Sequence, residues 1–407
     1  MDQAARQHPR LTQFSLRHAR GKDILASMTP AGRTVAGPPA DVGMALEDVD
    51  TPALIIELEA FEHNLARMAD DVRRSGLSLR PHGKAHKCAE IARLQVAHGA
   101  VGVCSQKGSE AQAFVNAGIA NVLVTNEIVA PHKLDRLAAL ARQAVVGLCV
   151  DDASVVPLLS TAAGRAGITL DVLVEIDVGA ARCGQLPGEP AVRLAELVAR
   201  APHLRLKGLQ AYQGRAQHVR SFDDRRAAIA RATELVRDTV EKFRARGLPC
   251  EVVAGGGTGT YTLEATSGVY TELQPGSYIF MDAAYAQNLD ESGKRATGYR
   301  HSLFVYSQVM SVPGRGLAIV DAGLKSFSFD EGMPWVADRP EVLYTRPSDE
   351  HGLLDDTKAS SRLRLGEKLK LIPGHCDPTV NLYDWVVGVR NGRVECLWPI
   401  IARGATT

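Results

Sequence analysis

Residues 77–107 read LSLRPHGKAHKCAEIARLQVAHGAVGVCSQK. A short run, LSLRPHGK, gives way to AEIARLQVAHG, where apolar residues recur at i, i+3, i+4 and i+7, and then to a second run, VGVCSQK. Strand, amphipathic helix and strand in about thirty residues make one βαβ unit, and such a unit sets its two strands parallel.

The same rhythm continues outward. Further short runs are NVLVTNE (121–127), VVGLCVDD (145–152), LDVLVEID (170–177), LKGLQAYQG (206–214), CEVVAGGGT (250–258) and GVYTELQPGSYIF (268–280), with helical stretches such as AIARATELVRDTVEKFRARG between them. Eight runs from residue 77 onward suit a (β/α)8 TIM barrel, with a doubly wound open sheet as the alternative. After about residue 300 the helical pattern stops. HSLFVYSQVMSV, GLAIVDAGLK, EVLYTRPSDEHG, KLKLIPGHCD and DWVVGVRNGRVECLWPI are strand-like, and Asn391-Gly392 marks a hairpin. The expected organisation is an N-terminal arm (1–47), a strand shared with the β-domain (48–60, holding TPALIIEL), an α/β barrel (61–298) and a C-terminal all-β domain (299–407).

With 45% hydrophobic residues, 23% charged residues and a formal net charge of +1, the chain has no basic field to attract nucleic acid or anionic lipid. No run approaches the ~20 apolar residues of a membrane helix. Seven scattered cysteines without a C-x-x-C pair argue against a disulfide framework or zinc ribbon and imply a reducing, cytoplasmic setting. Arg6, Arg10, Arg17, Arg20 and Arg33 precede residue 45 without an apolar core segment, which excludes a secretory signal and leaves an arginine-rich organelle leader as the other reading of the arm.

Four clusters carry chemistry. Barrel active sites gather at the carboxyl ends of strands. If RPHGK is extended, Arg80, His82 and Lys84 share one face and Lys84 points into the mouth. Positive neighbours and apolar walls would lower its proton affinity, as Schiff-base chemistry requires. VVAGGGTGT (252–260) and PGSYIFMD (275–282) offer backbone amides and hydroxyls to an anion on successive late strands, without the P-loop or dinucleotide spacing. In EIDVGAARCG (175–184), Arg182 is set to donate to an oxyanion or to pair with an acid. In LIPGHCD, an extended chain would place His375 and Asp377 on one face, giving two sites for a hard octahedral cation; a plain Asp-Pro turn is the structural alternative.

Taken in order, DVDTPALIIEL, RPHGKAHK, EIDVGAARCG, GLQAYQG, GGGTGTY, SGVYTELQPGSYIFMD, DEHG and PGHCDPTVNLYDW resemble motifs of the fold-type III pyridoxal-phosphate enzymes, within them the D-threonine aldolase and D-serine dehydratase group. The likeness spans about residues 48–405. It implies an alanine-racemase-like barrel with a β-domain, usually a homodimer, and pyridoxal 5'-phosphate bound through Lys84. It also places His82, Arg182, Tyr212, Gly257, Thr258, Gly259, Gly276, Ser277 and Tyr278 around that cofactor. Dehydratases of the group resemble H-x-C with zinc, and aldolases H-x-D with manganese or magnesium, so His375 and Asp377 point to an aldolase acting on a small D-3-hydroxy amino acid such as D-threonine or D-allo-threonine. Some D-threonine aldolases have histidine where Gln213 stands, which leaves His86, His82 or metal-bound hydroxide to move the proton. Alternatives are 3-hydroxy-D-aspartate aldolase, a D-serine or 3-hydroxyaspartate dehydratase, and a non-catalytic pyridoxal-phosphate-binding protein.

Overall fold

The computed structural model describes residues 37–296 and 298–407. The arginine-rich segment read as an arm or leader lies mostly outside the described residues. Strand β1 (Ala53–Glu57) leads into helix α1 (Leu58–Ser75), and a regular alternation follows. Strands β2 (Ser78–Leu79), β3 (Val103–Ser105), β4 (Asn121–Glu127), β5 (Val145–Val150), β6 (Leu170–Glu175), β7 (Leu204–Gln210), β8 (Val252–Gly255) and β9 (Glu272–Leu273) are interleaved with helices. The helices are α2 (Ala89–Ala97), α3 (Gly108–Asn116), α4 (Pro131–Leu140), α5 (Val155–Ala166), α6 (Glu189–Arg200), α7 (Phe222–Ala245) and α8 (Tyr261–Ala265).

All pairings in this sheet are parallel, in the order β2-β9-β8-β7-β6-β5-β4-β3, and an isolated parallel bridge from His82 to Cys104 joins its two ends. The result is the expected alanine-racemase-like (β/α)8 barrel rather than an open sheet. Its side chains alternate between two cores. Cys104, Leu123, Cys149, Leu173 and Ala254 fill the inside, whereas Val122, Val124, Leu148, Val172 and Val174 pack outward under the helices. Burial on both faces is why these strands read as continuous apolar runs. Gly208 is required in β7: its φ is +141°, and a Cβ there would enter the Val252 carbonyl.

The second sheet holds β10 (Leu303–Gly314), β11 (Leu317–Val320), β12 (Trp335–Val336), β13 (Leu343–Pro347), β14 (Gly352–Asp355), β15 (Lys368–Ile372), β16 (Trp385–Arg390) and β17 (Arg393–Pro399), with helix α9 (Cys376–Val380) in a connection. Its order is β11-β14-β13-β12-β15-β10-β1-β16-β17. Strand β1 runs antiparallel to β10 and parallel to β16, so the chain starts this sheet before α1 carries it into the barrel. Asn391 and Gly392, at φ 50° and 71°, close the β16–β17 hairpin in the left-handed conformation that Asn-Gly allows.

Two local expectations fail. LSLRPHGK is a strand only at Ser78–Leu79, because Pro81 has no N–H for the ladder and Gly83–Ala85 forms a 3-10 turn. Arg80 therefore does not share a face with Lys84; its Nε donates to Glu272 Oε1 at 2.9 Å and its Nη1 to Asn121 Oδ1 at 2.7 Å. His375-Cys376-Asp377 is not extended either, since α9 begins directly after His375. Among the described residues no helix is long and apolar enough to cross a membrane.

Candidate active site

At the carboxyl ends of the barrel strands lies a cavity walled by both sheets. Lys84, Arg182, Tyr212, Thr258 and Ser277 come from the barrel, and His375 and Asp377 from the connection after β15. Lys84 stands on the 3-10 turn that begins where Pro81 ends the strand, its side chain 40% exposed to this space. Its Nζ is 3.5 Å from Asp377 Oδ2. Burial pulls the ammonium pKa down, but Asp377 pulls it up and prevails, so Lys84 holds its proton more firmly than an ordinary lysine. The sequence showed only the positive neighbours, and the carboxylate that outweighs them comes from the other sheet.

His82 also lines the cavity, its Nε2 3.0 Å from Gln106 Nε2 and 3.1 Å from Thr125 Oγ1. Burial, followed by Lys84, holds its pKa well below the ordinary value, so the ring is neutral. Arg182 is half exposed, 3.9 Å from Glu175 Oε1 and 6.0 Å over the Tyr212 ring. Glu175 is itself pushed up to about 9, by burial and then by Glu127.

Two glycine turns face Lys84. Thr258 Oγ1 accepts the Tyr278 amide at 3.0 Å, which leaves its hydroxyl proton to donate elsewhere. A Cβ on Gly276 would meet His82 Cβ at 3.1 Å and the His82 carbonyl at 3.2 Å, and one on Gly257 would enter the Gln217 side chain. Both turns thus pack against their neighbours closely enough to leave little room for a side chain. Gly257, Thr258, Gly276 and Ser277 line it, a donor-rich rim that suits a phosphate.

Gly259 and Tyr278 are not brought to the wall. The Gly259 amide donates to Gln217 Oε1 at 3.0 Å, and the Tyr278 hydroxyl is fully buried, accepting from Gln95 Nε2 at 3.1 Å. Nor are His86 and Gln213. His86 Nδ1 accepts from the Cys88 amide, its Nε2 meets Gln95 Oε1 at 3.2 Å, and its ring stands edge-on to Phe114. Gln213 donates to the Val178 carbonyl and accepts from the Arg215 amide. Both are committed to backbone and core.

Behind the first turn, Gln217 Nε2 donates to Thr260 Oγ1 and that hydroxyl to Glu264 Oε1, each at 2.8 Å. Glu264 Oε2 is buried without a partner, and burial pushes the group's pKa up to about 7 from an ordinary 4.5. Between those values the folded protein holds a proton that the unfolded chain has lost, so stability falls as pH rises through this window. The penalty is complete above pH 7 and absent below about pH 4.5. Glu264→Gln is expected to raise Tm by a few degrees at pH 8 and to leave it nearly unchanged at pH 5, as calorimetry at both pH values would show.

The sequence reading missed His218. This histidine lines the cavity with its ring centroid 4.4 Å from Tyr285 and 6.4 Å from His375, and its buried Nδ1 has no partner. Burial lowers its pKa, so the ring is a neutral acceptor. It lies just beyond the 3-10 turn Gly214–Ala216, where no periodicity marks an inward side chain. Asp377 Oδ1 accepts from Ser277 Oγ at 3.1 Å, and His375 Nδ1 meets Asp330 Oδ2 at 2.7 Å. Among the described residues no group of three or more His, Cys, Asp or Glu side chains is gathered as for a metal ion.

The family model for the alanine racemase N-terminal domain matches residues 56–284, and the serine dehydratase domain model matches residues 302–389. A 3-hydroxy-D-aspartate aldolase of Paracoccus denitrificans (strain Pd 1222) is 48% identical over 370 residues, 90% of this chain and 95% of that protein. The chain belongs to this family of D-3-hydroxy amino acid aldolases. A D-threonine aldolase of Arthrobacter sp is 44% identical over 367 residues, 90% of this chain and 96% of that one. The crystal structure of D-threonine aldolase from Filomicrobium marinum superposes with a TM-score of 0.89 at 51% identity, covering 91% of this chain and all of that one. The two domain matches divide the cavity: the first holds Lys84, Arg182, Thr258 and Ser277, the second His375 and Asp377.

Proposed function

We propose that the cavity binds pyridoxal 5'-phosphate covalently through Lys84 and a hard divalent cation, Mn2+ or Mg2+, through His375 and Asp377. The protein then cleaves the Cα–Cβ bond of D-3-hydroxy amino acids to glycine and an aldehyde. The observation that carries this reading is the 3.5 Å approach of Lys84 Nζ to Asp377 Oδ2, which sets an amine beside a hard-cation ligand across two sheets. Thr258 and Ser277, with the amides of their glycine turns, fit the cofactor's phosphate, and the nitrogen and oxygen donors of His375 and Asp377 fit such a cation. When bound, pyridoxal phosphate supplies a sink for the electron pair left at Cα, and the cation lowers the pKa of a coordinated hydroxyl by several units.

The protein's own residues do the rest. His218 takes the β-hydroxyl proton: it lines the cavity, its ring stands beside His375, and burial keeps it neutral. The carbon–oxygen bond at Cβ becomes a carbonyl, the Cα–Cβ bond breaks, and the aldehyde leaves. In the cofactor-loaded protein, Lys84 Nζ would deliver a proton to Cα to give glycine. His218→Phe is expected to lower kcat roughly a hundred-fold while the cofactor's visible absorbance persists. An unchanged kcat would remove His218 from this role.

The permanent cations lining the cavity among the described residues are Lys84 and Arg182. That small supply of cations supports a threonine-like substrate over one with a second carboxylate, although the relatives carry both aldolase names. A site built from both domains also argues against a non-catalytic cofactor carrier. The same reading expects a homodimer, tested by sedimentation. Purified protein with pyridoxal phosphate and Mn2+ is expected to turn D-threonine into glycine and acetaldehyde, and D-threo-3-hydroxyaspartate more slowly into glycine and glyoxylate. Pyruvate from D-serine or oxaloacetate from hydroxyaspartate as the main product would overturn the aldolase assignment.

A further inference from the structure

Asp330 lies 2.7 Å from His375 Nδ1 through its Oδ2, although it belongs to a loop ahead of β12 and not to the β15–α9 segment that carries His375. The carboxylate is not there by chance collapse of a long side chain. Its Oδ1 accepts from Ser328 Oγ at 2.7 Å, the Ser328 amide donates to Thr379 Oγ1 at 3.1 Å, and Thr379 Oγ1 donates to the His375 carbonyl at 2.7 Å. Ring, carboxylate, serine and threonine close a circuit that returns to His375 itself. Two of the links, His375 to Asp330 and Ser328 to Thr379, join the loop to the turn from which the ligands project.

We infer that Asp330 is the positioning residue of the cation site: it accepts the His375 Nδ1–H, fixes the ring as the tautomer with a free Nε2 lone pair, and aims that atom at the metal. The inference rests on the reading of His375 and Asp377 as cation ligands. An imidazole without such an acceptor divides between two tautomers and rotates about its side-chain bonds, so part of its population offers no lone pair in the right direction. A carboxylate partner also makes the ring a stronger donor to a metal. Asp330 touches neither substrate nor cofactor in this scheme, and Ser328 acts one link further out by holding the second carboxylate oxygen.

The test is Mn2+ binding, followed by the loss of the free-ion electron paramagnetic resonance signal, in the cofactor-loaded protein at constant pH. Wild-type protein is expected to bind one Mn2+ per chain and His375→Ala to lose that binding. Asp330→Ala should weaken it about ten- to a hundred-fold, the range typical of outer partners of ligating histidines. Asp330→Asn, whose amide oxygen still accepts from Nδ1–H but carries no charge, should fall between wild type and Asp330→Ala. Ser328→Ala should lose only a few-fold. Cofactor absorbance and Tm, recorded for every variant, should match wild type, so that a general loss of structure would be seen. Asp330→Ala binding Mn2+ within two-fold of wild type, while His375→Ala does not bind it, overturns the role of Asp330 and leaves the cation site standing. Wild-type and His375→Ala proteins binding Mn2+ equally would overturn the cation site and this inference together.

Discussion

Lys84→Ala is expected to lose covalent cofactor attachment and at least about a thousand-fold in kcat/KM, because both the electron sink and the proton returned to Cα depend on one amine. Among the described residues no other lysine lines the cavity. Lys87, three residues on, is turned away: its Nζ pairs with Glu110 Oε1 at 3.0 Å and donates to the Ala402 carbonyl at 3.2 Å, with only 10% of the side chain exposed. Lys84→Arg separates charge from covalency. It keeps a cation beside Asp377 but has no amine that condenses with an aldehyde, so it should retain Tm while losing the visible absorbance of the bound cofactor. Activity in either variant within ten-fold of wild type would show that the chemistry runs elsewhere.

The next largest effect is expected at the metal pair. His375→Ala or Asp377→Ala should lower kcat about a thousand-fold, since Lewis-acid stabilisation of a developing alkoxide amounts to several kcal/mol, and each ~1.4 kcal/mol is a factor of ten. Chelation of the wild-type protein should produce a similar loss that Mn2+ reverses, whereas added Mn2+ should not rescue the variants. Asp377 has two other partners, Lys84 and Ser277, so its replacement also frees a lysine from its counter-charge. His375→Ala therefore gives the cleaner measurement. A wild-type rate indifferent to chelation would remove the cation from the reaction.

The barrel was legible because its strands are buried on both faces, so that Val122 to Val124 and Val172 to Val174 read as apolar runs broken by helices of a different period. The second sheet was legible for the opposite reason, the loss of helical periodicity after residue 300. Of the residues marked in the sequence, Lys84, His82, Arg182, Tyr212, Gly257, Thr258, Gly276, Ser277, His375 and Asp377 meet at one cavity. The misses have local causes. A strand reading carried past Pro81 put Arg80 beside Lys84, when it serves Glu272 and Asn121. Gln213 drew attention through its motif, yet the turn after it spends both ends of the amide on backbone and delivers His218 instead. The firm protonation of Lys84 and the pairing of His375 with Asp330 arise between segments far apart in the chain, and no spacing rule reports such contacts.

The most direct measurement is reduction of the cofactor-loaded protein with borohydride, followed by proteolysis and mass mapping of the pyridoxyl group. A single labelled peptide is expected, modified at Lys84, with no label in Lys84→Arg. A label on Lys87 or on any other lysine, with Lys84 unmodified, would contradict it.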